Sequence, residues 1–386
     1  MTLSTTTFLF FAAALLLPAC GMQEKNTPAE RMTGSLDSLF SCYFQSDGPG
    51  AVVLVKKGDS VIYDHSFGLA DLATKAPMTD STMLNICSVS KQFGAVALLK
   101  LAEEGRISLD DPVSKYFPQF KAPFFARISL ANLLSHTSGL PDARPRTEEQ
   151  WRRYRSIHDS RFATVDDFAL FCEEDESLRF MESLDSLAFE PGTAYEYQNP
   201  TFQLILPIVE KVTGEDFDTW MRRNIFDSAG MPETVYFEPD RRIPRMAHGY
   251  DLDSLGQWRE CDYGEARFFG TKADGGLYTS AREFLNWDAA LYGDKVISAS
   301  SREKAHSVYT DTDIPDTGYG YGFFIELRHD RPEKIYHTGD NGGFYIFEGR
   351  FPSRDVFYLI FATHPQWPRE AVVESVDSIL VANKII

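Results

Sequence analysis

Two kinds of hydrophobic pattern alternate along this chain, and their order predicts its layout. The runs Ala51-Val52-Val53-Leu54-Val55 and Val61-Ile62-Tyr63 flank Lys57-Gly58-Asp59, which reads as an early β-hairpin. From Ser88 the spacing changes. Phe93, Val96, Leu98, Leu99 and Leu101 recur at helical intervals until Gly105. The middle of the chain is mostly helical in pattern and includes a polar insert over residues 144–188. After Gly318, short β-rich runs return at residues 322–327, 334–338, 344–351 and 356–362. Residues 369–386 are helical again, with Val372, Val373, Val376, Ile379 and Leu380 on the apolar side. Strands at both ends predict one sheet whose early and late strands pair, with a helical lobe inserted at roughly residues 106–270.

The first residues follow a different rule. Residues 8–17 form an apolar run too short to span a bilayer, and Pro18-Ala19-Cys20-Gly21 follows. A short apolar segment ending in small residues is a secretory signal. A cysteine directly after Leu17-Pro18-Ala19 resembles the bacterial lipobox, where cleavage leaves Cys20 as a lipidated N-terminus. Residues 1–7 lack the Lys or Arg of an ordinary signal peptide. The reading is a signal peptide over residues 1–20, a linker over 21–33 and a folded domain over 34–386. Acyl chains on Cys20 would be the whole membrane attachment of a protein exported to the periplasm or cell surface.

Composition narrows the ligands. The 386 residues, 43% apolar and 24% charged, suffice for an ordinary globular core. A net charge of −18 argues against nucleic acid and anionic lipid as ligands, because both would be repelled. Cys42, Cys87, Cys172 and Cys261 lack the close spacing of a zinc site or a disulfide framework, and Cys87 reads as a small packed residue. Neither His-Glu-x-x-His nor Gly-x-Ser-x-Gly occurs, and no metal or cofactor is implied. Arg152, Arg153 and Arg155 and the acidic residues 173–176 read as solvated faces of the insert.

Three groups could carry chemistry. Ser88-Val89-Ser90-Lys91 opens the apolar helix, which places a hydroxyl and an amine one turn apart on one face, where free N–H groups also point. A serine, an amine base and an oxyanion site are the apparatus of acyl transfer. Ser301-Arg302-Glu303-Lys304 has the same spacing but no apolar helix behind it, and reads as chance. The second group is Tyr197-Gln198-Asn199-Pro200, where Asn199 also fits a helix N-cap with Pro200 at the first helical position. In the third, His337-Thr338-Gly339-Asp340, Gly339 would let a substrate backbone approach a strand edge. His337 there could supply a proton or a positive charge.

Together these groups resemble the serine β-lactamase and penicillin-binding-protein superfamily, and more closely its class C-type, β-lactamase-related serine hydrolases. Further matching segments are Phe67-Gly68-Leu69-Ala70-Asp71, Leu134-Ser135-His136-Thr137-Ser138-Gly139-Leu140 and Gly275-Gly276-Leu277-Tyr278. The resemblance implies an α/β (α+β) fold, with an antiparallel sheet of N- and C-terminal strands flanked by helices. It implies Ser88 as acylated nucleophile, Lys91 as its base with a pKa lowered by desolvation, and Tyr197 as proton shuttle to the leaving group. Asn199, His337, Thr338, Gly339 and Asp340 would bind substrate, with the N–H groups of Ser88 and Asp340 as oxyanion donors. His136 is implied to be structural. His337 stands where many β-lactamases have lysine, and Gln198 where serine is commoner, which favours D-amino-acid peptides or small esters over β-lactams as substrates. The rival from another class is a non-catalytic protein that uses the cleft to sense peptidoglycan.

Overall fold

Strands that are apolar at nearly every position must be covered on both faces, and the central strands of this chain are. The computed structural model describes residues 27–386 except 143, 146, 166, 167, 169–173, 239, 240, 262–270 and 330; the apolar run 8–17, Cys20 and Cys172 lie outside the described residues. One sheet is built from β1 (Ala51–Lys57), β2 (Ser60–Phe67), β3 (Thr310–Asp311), β4 (Thr317–Tyr319), β5 (Phe324–Arg328), β6 (Arg331–Asn341), β7 (Phe344–Phe351) and β8 (Val356–Ala362). Its order is β3-β4-β5-β6-β7-β8-β1-β2, antiparallel at every pairing. The early hairpin therefore joins the late strands through β1 and β8, with Ala51 opposite Ala362 and Lys57 opposite Val356.

Alternation along each strand feeds two cores. Val52, Leu54, Phe357, Leu359 and Phe361 enter a large core shared with the helical lobe. Ala51, Val53, Val55, Tyr358 and Ile360 enter a second core, closed by the helices Pro28–Ser41 and Arg369–Ala382. Full burial of one such aliphatic side chain contributes about 1.5–3 kcal/mol, so it is burial in these two layers, more than the hairpin turn, that holds β1 in the sheet centre.

Three parts differ from the sequence expectation. The first helix starts at Pro28, inside the segment read as a linker to residue 33. Thr27 Oγ1 accepts the Glu30 N–H while Glu30 reaches back to the Thr27 N–H, a capping box that starts a helix in polar sequence. Among the described residues of the lobe, the last helix ends at Ala229. Beyond it, Val235–Tyr236 joins Leu277–Ser280 and Met83–Asn85 in a small sheet, and Tyr250–Leu252 pairs with Trp258–Glu260. The insert is amphipathic, with helices Glu148–Ile157 and Glu174–Glu182 burying Trp151, Tyr154, Phe180 and Met181. Arg152, Arg153 and Arg155 are exposed as expected, but Glu176 is buried against Arg161.

Candidate active site

Ser88 is presented on a strained turn. Cys87 before it has φ +52°, left-handed backbone that a side chain rarely adopts, and its N–H is held by Asn85 Oδ1 at 2.6 Å. A 3₁₀ turn over Cys87–Ser90 then leads into the α-helix Lys91–Glu103. The α-helix thus begins one turn later than the spacing predicts, yet Ser88 and Lys91 share a face. Cys87 itself is fully buried, and burial pushes its thiol well above the ordinary range, which keeps it protonated and inert.

Lys91 is fully buried, with Nζ 3.1 Å from Ser88 Oγ, 2.8 Å from Asn199 Oδ1 and 2.7 Å from the Asp274 carbonyl. A neutral amine has two N–H bonds and one lone pair. Asn199 Oδ1 and the Asp274 carbonyl can only accept, so they take both N–H bonds and leave the lone pair for the Ser88 hydroxyl. As an ammonium, the same nitrogen donates to all three. The geometry therefore suits a group that receives a proton from Ser88 and holds it.

Tyr197 presents its ring face to this amine, with Lys91 Nζ 5.0 Å from the ring centroid. Its hydroxyl is buried and has no hydrogen-bond partner among the described residues. The helix that follows is Asn199–Gln203 with Gln198 as N-cap. Asn199 is therefore the first helical residue and not the cap, and its side-chain Oδ1 accepts from Lys91.

The third group lies on β6, beside the Ser88 turn. β6 pairs with β5 only as far as Tyr336, opposite Phe324, whereas its pairing with β7 continues to Asn341. Residues 337–341 therefore lack a β5 neighbour, and the Ile86–Cys87 turn packs there instead. A Cβ at Gly339 would lie 2.4 Å from the Ile86 carbonyl oxygen, so close packing against that turn requires glycine. This demand exists whether or not a substrate backbone approaches.

His337 does not supply the positive charge expected of it. It is fully buried with a pKa lowered to about 3 by desolvation first, then by the Lys91 charge. Its Nδ1 lies 2.7 Å from the Thr338 carbonyl and so carries the proton. Nε2, 3.1 Å from Tyr319 Oη, then accepts from that hydroxyl. Positive charge at this end of the site comes instead from Arg369, which donates to the Gly339 carbonyl at 3.2 Å and stacks 3.9 Å above the Tyr345 ring. Asp340 lies on the rim, its carboxyl pushed up by burial against the pull of Arg369.

The structure thus brings Ser88 and Asn199 each into contact with Lys91, sets Tyr197 over the amine, and lays residues 337–340 alongside. Ser301 and Lys304 sit apart on the helix Ala299–Ala305, where the lysine is exposed. Sequence reasoning missed the Asp274 carbonyl, Tyr319 and Arg369. The neighbouring Gly275-Gly276-Leu277-Tyr278 marked the region of Asp274, but a backbone acceptor leaves no residue-type signal. The insert reaches the site from behind: Glu174 accepts the Lys272 N–H at 3.0 Å, at the start of the short helix Lys272–Gly275 that carries Asp274. Among the described residues, no group of three or more histidine, cysteine or carboxylate side chains is placed to share a metal ion.

Comparison with known proteins agrees with this geometry. The family model described as Beta-lactamase matches residues 30–382. Penicillin-binding protein 4* of Bacillus subtilis is 26% identical over 356 residues, covering 89% of this chain and 75% of that protein. A D-aminopeptidase of Brucella anthropi is 28% identical over 279 residues; the match takes in 72% of this chain, which spans about half (49%) of that longer protein. A penicillin-binding protein structure from Bacillus halodurans superposes with TM-score 0.73 at 24% identity, over 89% of this chain and 98% of that one. Sharing this fold along nearly its whole described length, the chain belongs to the Beta-lactamase family and is one of its serine hydrolases.

Proposed function

We propose that the protein cleaves an amide or ester through an acyl-enzyme on Ser88, with D-amino-acid peptides as the first substrate class and small esters as the second. The single observation that carries this reading is the Lys91 amine, held by two obligate acceptors and 3.1 Å from Ser88 Oγ. In the proposed step, Lys91 takes the Ser88 proton as Oγ attacks the carbonyl. Tyr197 passes a proton to the departing amine or alkoxide, and the N–H groups of Ser88 and Asp340 hold the oxyanion, a device worth about 3 kcal/mol per donor. Water then releases the acyl group. The relatives named D-aminopeptidase and penicillin-binding protein support the peptide class. His337 is neutral where many β-lactamases carry a lysine, and β-lactams are ranked third.

The test is intact-mass labelling with a fluorophosphonate and a penicillin, followed by turnover of D-amino-acid peptides, p-nitrophenyl esters and a chromogenic cephalosporin. Adducts on Ser88 that vanish in Ser88→Ala are expected. A wild-type protein that takes no acyl group from any probe would overturn the reading in favour of a binding protein. Attachment through a lipidated Cys20 belongs to the same proposal. Membrane-fraction protein should carry an acylated N-terminal cysteine, and Cys20→Ser should release it. Among the described residues no helix is long and apolar enough to cross a membrane.

A further inference from the structure

We propose that His136 is the positioning residue for Tyr197, holding the chain on both sides of that tyrosine so that its phenol stays over Lys91. The inference rests on the acyl-transfer reading above and adds a part that no motif assigned. His136 is 1% exposed, too buried to touch a substrate. Its carbonyl accepts the Glu196 N–H at 3.1 Å, and its ring Nδ1 accepts the Gln198 N–H at 3.1 Å. Residues 196 and 198 flank Tyr197, so one histidine grips the backbone immediately before and after it. The ring also packs against Tyr197 itself, with centroids 4.3 Å apart.

Two further features fit this role. Thr137 continues the same contact by accepting the Gly192 N–H at 2.8 Å, so residues 192–198 are laid along the 136–137 segment. His136 also has φ +56°, left-handed backbone that turns its carbonyl and ring toward the same stretch of chain. The grip requires a neutral ring protonated on Nε2, because a proton on Nδ1 would face the Gln198 N–H donor to donor. Nε2 makes no hydrogen bond among the described residues, so the acceptor at Nδ1 is the ring's main polar task.

This defines an informative pair of substitutions. His136→Asn keeps an acceptor where Nδ1 was and tolerates left-handed backbone; His136→Gly keeps the backbone freedom but removes acceptor and ring. Single-turnover acylation of Ser88 by a D-amino-acid p-nitroanilide, whose departing nitrogen must gain a proton, is measured in each, with circular dichroism and thermal melts recording the fold. Misplacement of a reacting group by about 1 Å costs on the order of 100-fold, so His136→Gly is expected to lose about that much in acylation rate with KM changed by less than about threefold. His136→Asn should recover most of the loss. In a Tyr197→Phe background the His136→Gly penalty should shrink to within about threefold, because the group being positioned is gone. ¹⁵N NMR of histidine in the wild type, assigned by its difference from His136→Asn, reads the tautomer without a destabilised variant. An Nε2-protonated ring at neutral pH supports the grip, and an Nδ1-protonated or cationic ring refutes it. Equal penalties with and without the Tyr197 hydroxyl, or a His136→Asn as slow as His136→Gly, would show a general packing role and sink the proposal. If the wild type never acylates Ser88, the acyl-transfer reading fails and this assignment goes with it. Normal Ser88 acylation in a folded His136→Gly removes this assignment alone.

Discussion

At the scale of single residues, the decisive atom is Lys91 Nζ and the decisive question is what its neighbours can accept. Asn199 Oδ1 and the Asp274 carbonyl accept from the amine without offering charge, and the Ser88 hydroxyl is its third neighbour. Asn199→Asp tests this with almost no change in shape. A carboxylate 2.8 Å from the amine would hold it as an ammonium and remove its lone pair. Acylation of Ser88 at neutral pH should then fall by about 100-fold or more, the usual worth of a positioned base, with part of the rate regained as pH rises. A pre-steady-state burst recorded across pH decides it. An unchanged rate would mean that Lys91 does not act as the base.

At the scale of elements, the site exists because two pieces of chain approach to van der Waals limits. Gly339 on β6 abuts the Ile86 carbonyl, and Gly322 (φ +81°) puts its missing Cβ 3.0 Å from the Lys91 carbonyl. Gly339→Ala should push β6 off the Ser88 turn. We expect a stability loss of about 1–3 kcal/mol in a urea melt together with slower acylation, since overpacking forces backbone shifts. Retained stability and rate together would show that the turn has slack. Such contacts also explain what could be read from residues alone. The strands at residues 51–55 and 356–362 were legible because buried strands announce themselves as unbroken apolar stretches. Ser88 and Lys91 were legible because their spacing is local. His337 was not: its neutrality depends first on burial and then on the nearby Lys91, neither of which residue type reveals. The helix Pro28–Ser41 was legible in principle through Thr27, Pro28 and Glu30, but its polar start reads as linker unless those residues are taken as a cap.

At the scale of the whole molecule, a buried carboxyl ties the sheet to the helical layers packed on its lobe side. Glu348 stands on β7 opposite His337 and receives the Gln92 amide, while Gln92 Oε1 accepts from the Trp287 indole at 3.1 Å. Gln92 follows Lys91, so this chain of bonds runs from the sheet centre to the candidate base. Burial raises the Glu348 carboxyl from 4.5 to about 8, with the Gln92 hydrogen bond opposing. The folded protein therefore keeps a proton that the unfolded chain has released. With more protons bound folded than unfolded, stability falls as pH climbs from 4.5 to about 8 and changes no further from this group above that. Glu348→Gln keeps the shape and removes the titration. Its melting temperature should decline less steeply than the wild type's across this window, with the gap widening toward pH 8. Other buried carboxyls with raised values, such as Glu174 and Asp377, are present in both proteins and cancel in the difference. Parallel melting curves across the window would mean that Glu348 is already ionised at neutral pH, and that the layers are joined there by a buried charge and not by a neutral acid.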